Sequence, residues 1–177
     1  MPEDLNKREE DLSTDELQQL LTHLIGKMNS SDSAKKAAPT LSTENIETLY
    51  AMAHQMYTRK NYDQASDLFR VLTVVDMANR RNWVALGAAL QMLKKYEEAV
   101  EMYGVAAVME PSDPYIHFHA SECFFSLGDK EKGLIALASA ELTATNQEKK
   151  DKSLISRLAL FRQSWCNETS ITKDRLL

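Results

Sequence analysis

A 34-residue spacing of small and large residues is the feature that most restricts the fold of this chain. Small residues recur at Ala53, Gly87 and Ser121. Five further sets of three residues are each spaced by 34 positions, and most of their members are apolar. They are Leu49, Trp83 and His117; Met52, Leu86 and Ala120; Met56, Leu90 and Phe124; Ala65, Ala99 and Gly133; and Phe69, Tyr103 and Leu137. Glycine inside a helix costs about 1 kcal/mol relative to alanine, so Gly87 is expected where another backbone comes close. The spacing therefore predicts three copies of one structural unit that stack on each other.

The period is that of the tetratricopeptide repeat, in which a helix A and a helix B are joined by a short turn. The middle copy carries the fullest pattern, Trp83-x2-Leu86-Gly87-x2-Leu90 followed by Ala99-x3-Tyr103-x2-Ala106-x4-Pro111. The predicted turns fall at "RKNY", "LKKY" and "LGDK". Together these features predict an all-α chain whose three repeats form a right-handed superhelix.

Two further helices are expected outside the repeats. The stripe Leu154, Ile155, Leu158, Phe161 and Trp165 predicts a helix that caps the bare apolar end of the last repeat. An amphipathic helix over about 14–28 is predicted from the stripe Leu17, Leu20, Leu21, Leu24, Ile25 and Met28. The predicted organisation is an N-terminal segment, 1–40, that ends in a polar linker over 29–40, a repeat domain with its cap, 41–165, and a frayed tail, 166–177.

The N-terminal helix is expected to dock on another surface, because an isolated helix of about four turns is marginal in water. It can dock on its own repeats or on a second copy, and the linker permits both. Since two-fold dimers are the commonest soluble homo-oligomers, we expect a weak homodimer through this stripe.

Composition and the missing motifs exclude several classes of function. A net charge of −5 disfavours binding to nucleic acid. Because no apolar run approaches about 20 residues and the acidic N-terminus is unlike a secretory signal, we expect no direct membrane insertion and a cytoplasmic location. No phosphate loop, catalytic constellation or ligand set is visible, which predicts a protein that is not an enzyme and needs no cofactor or metal. His117 and His119 are interpreted as packing residues, and Cys123 as a buried, inert thiol.

The groove formed by the A helices is the predicted binding surface. Its positions lie one, five and eight residues after the first signature residue of each repeat, and they include Tyr50, His54, Tyr57, Val84, Ala88, Gln91 and Phe118. An open groove with several aromatic residues suggests an occupied surface. The alternative is that flanking helices cover these side chains. Tyr50 and His54 replace the Lys and Asn of repeat adaptors that grip carboxylates, so an extended apolar peptide is the better ligand.

The sequence resembles the class II chaperones of bacterial type III secretion, which serve translocator proteins. The resemblance covers about 41–165 and is carried by "LYAMAHQMYTRKNYDQASDLFRVL", "VVDMANRRNWVALGAALQMLKKYEEAVEMYGVAAVME" and "DPYIHFHASECFFSLGDKEKG". It implies a virulence-associated bacterial chaperone that keeps two hydrophobic translocators soluble by holding a Pro-x-Leu-x-x-Pro-like segment in its groove. It adds Tyr62 to the implied binding pocket, and the N-terminal helix is the family's usual self-association element.

The family often has an aromatic residue where this chain has His54, which alters the implied shape of one pocket. Two rival functions remain open at this stage. One is a general tetratricopeptide-repeat adaptor that joins two proteins without chaperoning either. The other is a subunit that regulates an enzyme.

Overall fold

The structure, a computed structural model, describes residues 41–147 and 151–174. The predicted N-terminal helix over 14–28 and its linker over 29–40 lie outside the described residues. The chain divides into two compact units, with the boundary after Leu93.

Unit 1 contains three helices, α1 (Thr43–Thr58), α2 (Tyr62–Val75) and α3 (Arg80–Met92). The middle helix packs against both others. Its buried face is formed by Ala65, Ser66, Leu68, Phe69, Val71, Leu72 and Thr73. The Ser42 side chain caps α1 by accepting a hydrogen bond from the Asn45 amide at 3.2 Å. Unit 1 is thus the first repeat with helix A of the second.

Unit 2 contains four helices, α4 (Tyr96–Met109), α5 (Pro114–Ser126), α6 (Lys130–Asn146) and α7 (Lys152–Asp174). Helix α5 packs against α4 and α6, and α7 packs against α6. Aspartates cap α5 and α6: Asp113 accepts from the Tyr115 amide at 2.9 Å, and Asp129 accepts from the Lys132 amide at 3.1 Å. No helix in the described ranges of either unit is long and apolar enough to cross a membrane.

The all-α prediction and the three predicted turns are confirmed, and Gly87 is buried in α3 as expected. The capping stripe is confirmed too. Leu154, Leu158 and Trp165 join a buried cluster, and Ile155 and Phe161 pack against it. The predicted end of the cap at 165 is wrong, because α7 continues to Asp174. No glycine or proline follows Trp165 within the helix to break it.

The turn inside each repeat uses the left-handed backbone region at the same repeat position. This position is Lys60 (φ 64°), Lys94 (φ 62°) and Gly128 (φ 76°). A side chain in this region costs about 1–2 kcal/mol, whereas glycine adopts it freely. The third turn therefore has the residue best suited to its conformation.

Two glycines of unit 2 should respond to alanine in opposite directions. Gly128→Ala should lower the free energy of unfolding by about 1 kcal/mol, because it places a Cβ in the left-handed region. Gly104→Ala should raise it by about 0.5–1 kcal/mol, because Gly104 lies inside α4 and its Cβ would meet nothing within 4 Å. Urea denaturation of both variants measures the two changes. A loss of stability in Gly104→Ala would contradict the open space beside that residue.

Candidate peptide-binding surface

The predicted groove residue Tyr50 lies half-buried on α1 among other rings. His54, one turn later, stacks beside it with a centroid separation of 6.3 Å and an interplanar angle of 22°. Phe69, buried on α2, lies 5.6 Å from Tyr50 at a tilted angle. Because the buried Phe69 packs against its ring, Tyr50 combines a packed aromatic ring with a polar hydroxyl group, a combination suited to interfaces.

Arg81 covers Tyr50 from the start of α3. Its guanidinium carbon lies 3.8 Å from the centroid of the Tyr50 ring, and its Nη2 pairs with Glu47 Oε1 at 2.7 Å. Both charged side chains are exposed, so the ion pair itself contributes at most about 1 kcal/mol. Neither Arg81 nor Glu47 is predicted from the sequence as part of this surface. A signal was present, since they have opposite charges at equivalent positions of consecutive repeats.

A second aromatic pair lies across the turn between α1 and α2. Tyr57 and Tyr62 are half-buried and meet edge to face at 5.3 Å. Burial, and then the neighbouring Tyr62, raise the pKa of the Tyr57 phenol. Burial also raises the pKa of Tyr50, although the Arg81 guanidinium opposes the shift. Both phenols consequently remain neutral hydrogen-bond donors at physiological pH.

Helix α3 contributes the second group of predicted contacts. Val84, Ala88 and Gln91 follow one another at intervals of four and three residues, which places them on one face of the helix. All three are half-buried. Unit 1 thus has aromatic side chains on α1 and α2 and a face with small and apolar residues on α3.

Phe118 differs from the expected open groove position. It is only 3% exposed and belongs to the buried cluster beneath α7. Phe161 meets its ring edge to face at 5.5 Å, and the Arg157 guanidinium lies 5.1 Å from the ring centroid. The expectation that Phe118 presents an open surface is therefore wrong in this conformation, because the capping helix covers it.

The remaining side chains that raised chemical questions have structural partners. His117 Nε2 lies 2.9 Å from the Pro111 carbonyl oxygen, and His119 Nδ1 lies 3.0 Å from Glu122 Oε2. His119 also stacks against Tyr103 at 5.7 Å. Cys123 is buried, and burial raises the pKa of its thiol to about 12, so it has the properties of an inert core thiol.

The comparisons with known proteins agree with the repeat architecture. The model of the tetratricopeptide repeat matches residues 46–79 and 82–113. Low calcium response locus protein H of Yersinia pestis is 33% identical over 116 residues, which cover 64% of this chain and 68% of the relative. The chaperone protein SicA of Salmonella typhimurium is 26% identical over 119 residues, which cover 67% of this chain and 69% of SicA.

Solved structures of similar chains also support the tetratricopeptide-repeat architecture. PcrH in complex with the chaperone-binding region of PopD aligns with a TM-score of 0.68 at 30% identity, covering 73% of this chain and 96% of the solved chain. The Yersinia enterocolitica translocator chaperone SycD aligns with a TM-score of 0.65 at 27% identity, covering 79% and 96%. The fold and the repeats therefore define a tetratricopeptide-repeat protein with an aromatic surface. More particularly, the chain belongs to the family of type III secretion translocator chaperones.

Proposed function

We propose that this protein is a cytoplasmic chaperone for type III secretion translocators, and that it acts by binding and not by catalysis. The client segment is an extended apolar peptide of the Pro-x-Leu-x-x-Pro kind, held on unit 1. The observation that carries this proposal is the set of half-buried rings Tyr50, Tyr57 and Tyr62. Two solved complexes support it, because PcrH binds the chaperone-binding region of PopD and SycD binds a peptide of the translocator YopD.

The energetics favour an apolar anchor at Tyr50. Burial of a leucine side chain contributes about 1.5–3 kcal/mol. The exposed contact between Arg81 and the Tyr50 ring is worth about 0.5–1 kcal/mol, so a leucine can displace the guanidinium at small cost. Proline residues in the client favour an extended backbone before binding, which reduces the entropy lost on complex formation.

The remaining proposed contacts extend this surface. His54 stands beside Tyr50, and its ring is exposed where an aromatic residue is frequent in the family. Val84, Ala88 and Gln91 supply the face of α3. Ala88 leaves room for a larger client side chain. We leave Phe118 out of the contact set, because α7 covers it.

Co-expression with the two translocators of the same secretion system tests the chaperone function. A chaperone should move an otherwise insoluble translocator into the soluble fraction and co-purify with it. A general repeat adaptor should leave the translocator insoluble even if the two proteins associate. Replacement of the Pro, Leu and Pro residues of the client segment by Ala should abolish the rescue, while substitutions in a distant polar segment of the client should have no effect.

A further inference from the structure

Arg81 and Glu47 continue the two lines of proposed client contacts toward the start of their helices. On α3, Arg81 precedes Val84 by three residues, and on α1, Glu47 precedes Tyr50 by three residues. Residues three apart share a helix face. The guanidinium carbon of Arg81 lies 3.8 Å from the centroid of the Tyr50 ring, where the client leucine is proposed to bind. An ion pair therefore borders the apolar part of this surface.

The position of Arg81 does not favour the stability of α3. Arg80 and Arg81 are the first two residues after the N-cap, Asn79, and the first turn has no acidic residue. The N-terminal end of a helix has a partial positive charge, so a cation there is unfavourable. The compensating contacts of Arg81 are an exposed ion pair and an exposed contact with an aromatic ring, and both kinds of contact are weak. Stability of the fold therefore does not account for an arginine at this position.

The guanidinium of Arg81 has hydrogen-bond donors that Glu47 does not use. An arginine side chain has five N–H donors. The pair joins one nitrogen, Nη2, to one carboxylate oxygen of Glu47 at 2.7 Å, and the Arg81 side chain is 42% exposed. A guanidinium binds a carboxylate best through two parallel hydrogen bonds. Arg81 therefore retains N–H groups that can bind a second carboxylate.

Binding of a leucine at Tyr50 changes the surroundings of this charge. The leucine displaces the guanidinium from the ring and covers part of it, and a charge that loses water needs a new partner. Consecutive residues of an extended peptide lie about 3 Å apart along its axis, so a residue beside the leucine can reach a guanidinium that Glu47 holds next to the ring. A carboxylate matches both the charge and the planar geometry of the guanidinium.

Given the proposed function, on which this inference rests, we propose that Arg81 is a specificity-determining residue that recognises an acidic residue beside the leucine of the client segment. The client carboxylate binds the N–H groups that Glu47 leaves, while the leucine occupies the Tyr50 ring. Long-range electrostatics favours the opposite preference, because a chain with a net charge of −5 attracts basic peptides. A preference for acidic flanks is thus a local effect of Arg81.

Three synthetic peptides of equal length test this recognition. Each has one Pro-x-Leu-x-x-Pro segment in which both residues next to the leucine are Glu, Gln or Lys, and the remaining x is Ala. Isothermal titration calorimetry measures their affinities for the full chain. The wild type should bind the Glu peptide at least about fivefold more tightly than the Gln peptide, which corresponds to a strong exposed ion pair. The Lys peptide should bind most weakly.

Matched variants locate the charge that reads the peptide. Arg81→Gln should bind the Glu and Gln peptides within about twofold of each other, and Arg81→Glu should prefer the Lys peptide. Arg80→Gln removes the same charge one residue earlier and should keep the wild-type order, because consecutive residues lie on different faces of a helix. The urea midpoint of Arg81→Gln should equal that of the wild type, which separates recognition from folding.

Different outcomes separate the role of Arg81 from the chaperone function. Equal affinities for the three peptides, or equal losses in Arg80→Gln and Arg81→Gln, overturn the role of Arg81 and leave the proposed function intact. A wild-type preference for the Lys peptide also overturns it, because net charge then decides. Alanine in place of the leucine should abolish binding of the Glu peptide, and this control tests only the proposed function. If no peptide binds the wild type, the proposed binding surface is wrong, and the role of Arg81 falls with it.

Discussion

Gly133→Ala should destabilise the capping helix, although alanine is the better helix former. The added Cβ would lie 1.9 Å from Cη2 of Trp165 and 2.8 Å from Cζ3. Trp165 is 4% exposed and is packed against Phe125 at 4.6 Å and Phe161 at 5.8 Å, so its ring has little room to move aside. Overpacking of this kind costs about 1–3 kcal/mol, which exceeds the gain of up to about 1 kcal/mol in helix propensity. Urea denaturation measures the difference.

A double-mutant cycle shows whether Trp165 is the cause. Trp165→Leu should be destabilising by itself, because it leaves a cavity. In that background the further change Gly133→Ala should cost much less than in the wild type, since the clashing ring is gone. Gly104→Ala on α4 is the matched control and should be stabilising. Equal costs of Gly133→Ala with and without Trp165 would contradict the close contact.

Two sets of polar contacts lie in the first half of α7. Arg162 forms two hydrogen bonds with the Glu141 carboxylate on α6, at 2.7 and 2.6 Å. Asp151 caps the helix by accepting from the Ser153 and Leu154 amides at 2.9 and 3.1 Å. The pair with Glu141 joins α7 to α6 at one register, so sliding of the helix to make room for Trp165 would break that pair.

Much of the fold could be predicted from the sequence because the 34-residue period fixes which positions must be small. Gly133, Ala99 and Ala65 share one repeat position, and the period identifies close packing there. The period cannot identify the neighbour of the last copy, because no further repeat follows it. That neighbour is Trp165. Its ring leaves no space for a Cβ at Gly133, whereas the other two repeats have alanine at this position.

The candidate site was predicted less completely, for physical reasons that differ between its parts. The repeat register indicated that Tyr50 and Tyr57 lie on the same side of α1, because register depends on spacing alone. Whether a groove side chain is exposed depends on helices outside its own repeat. The repeat spacing alone therefore could not show that Phe118 is buried, because α7 is the helix that covers it. The position of Arg81 over Tyr50 requires side-chain geometry that spacing does not contain.

Tyr50→Ala combined with Tyr57→Ala should abolish binding of the client peptide while the helical content stays intact. Both rings are half-buried, and Leu49 and Ala53 form the buried face of α1 with Asn45, so the helix should remain docked. Loss of two aromatic contacts should raise the Kd at least about 100-fold, because each such contact contributes about 1.4 kcal/mol or more at an interface centre. Isothermal titration calorimetry measures the affinity, and circular dichroism verifies the fold.

The conservative variant Tyr50→Phe with Tyr57→Phe separates the rings from their hydroxyl groups. If apolar contact dominates, this variant should bind within about tenfold of the wild type, whereas the loss of two hydrogen bonds of about 0.5–1.5 kcal/mol each would weaken binding by up to about 150-fold. The wild-type affinity should also stay constant as the pH rises to mildly alkaline values, because both phenol pKa values are raised and the rings remain neutral.

Wild-type affinity in the double alanine variant would show that the client binds elsewhere. A fall in affinity over this pH range would show that an ionisable group other than these tyrosines controls binding.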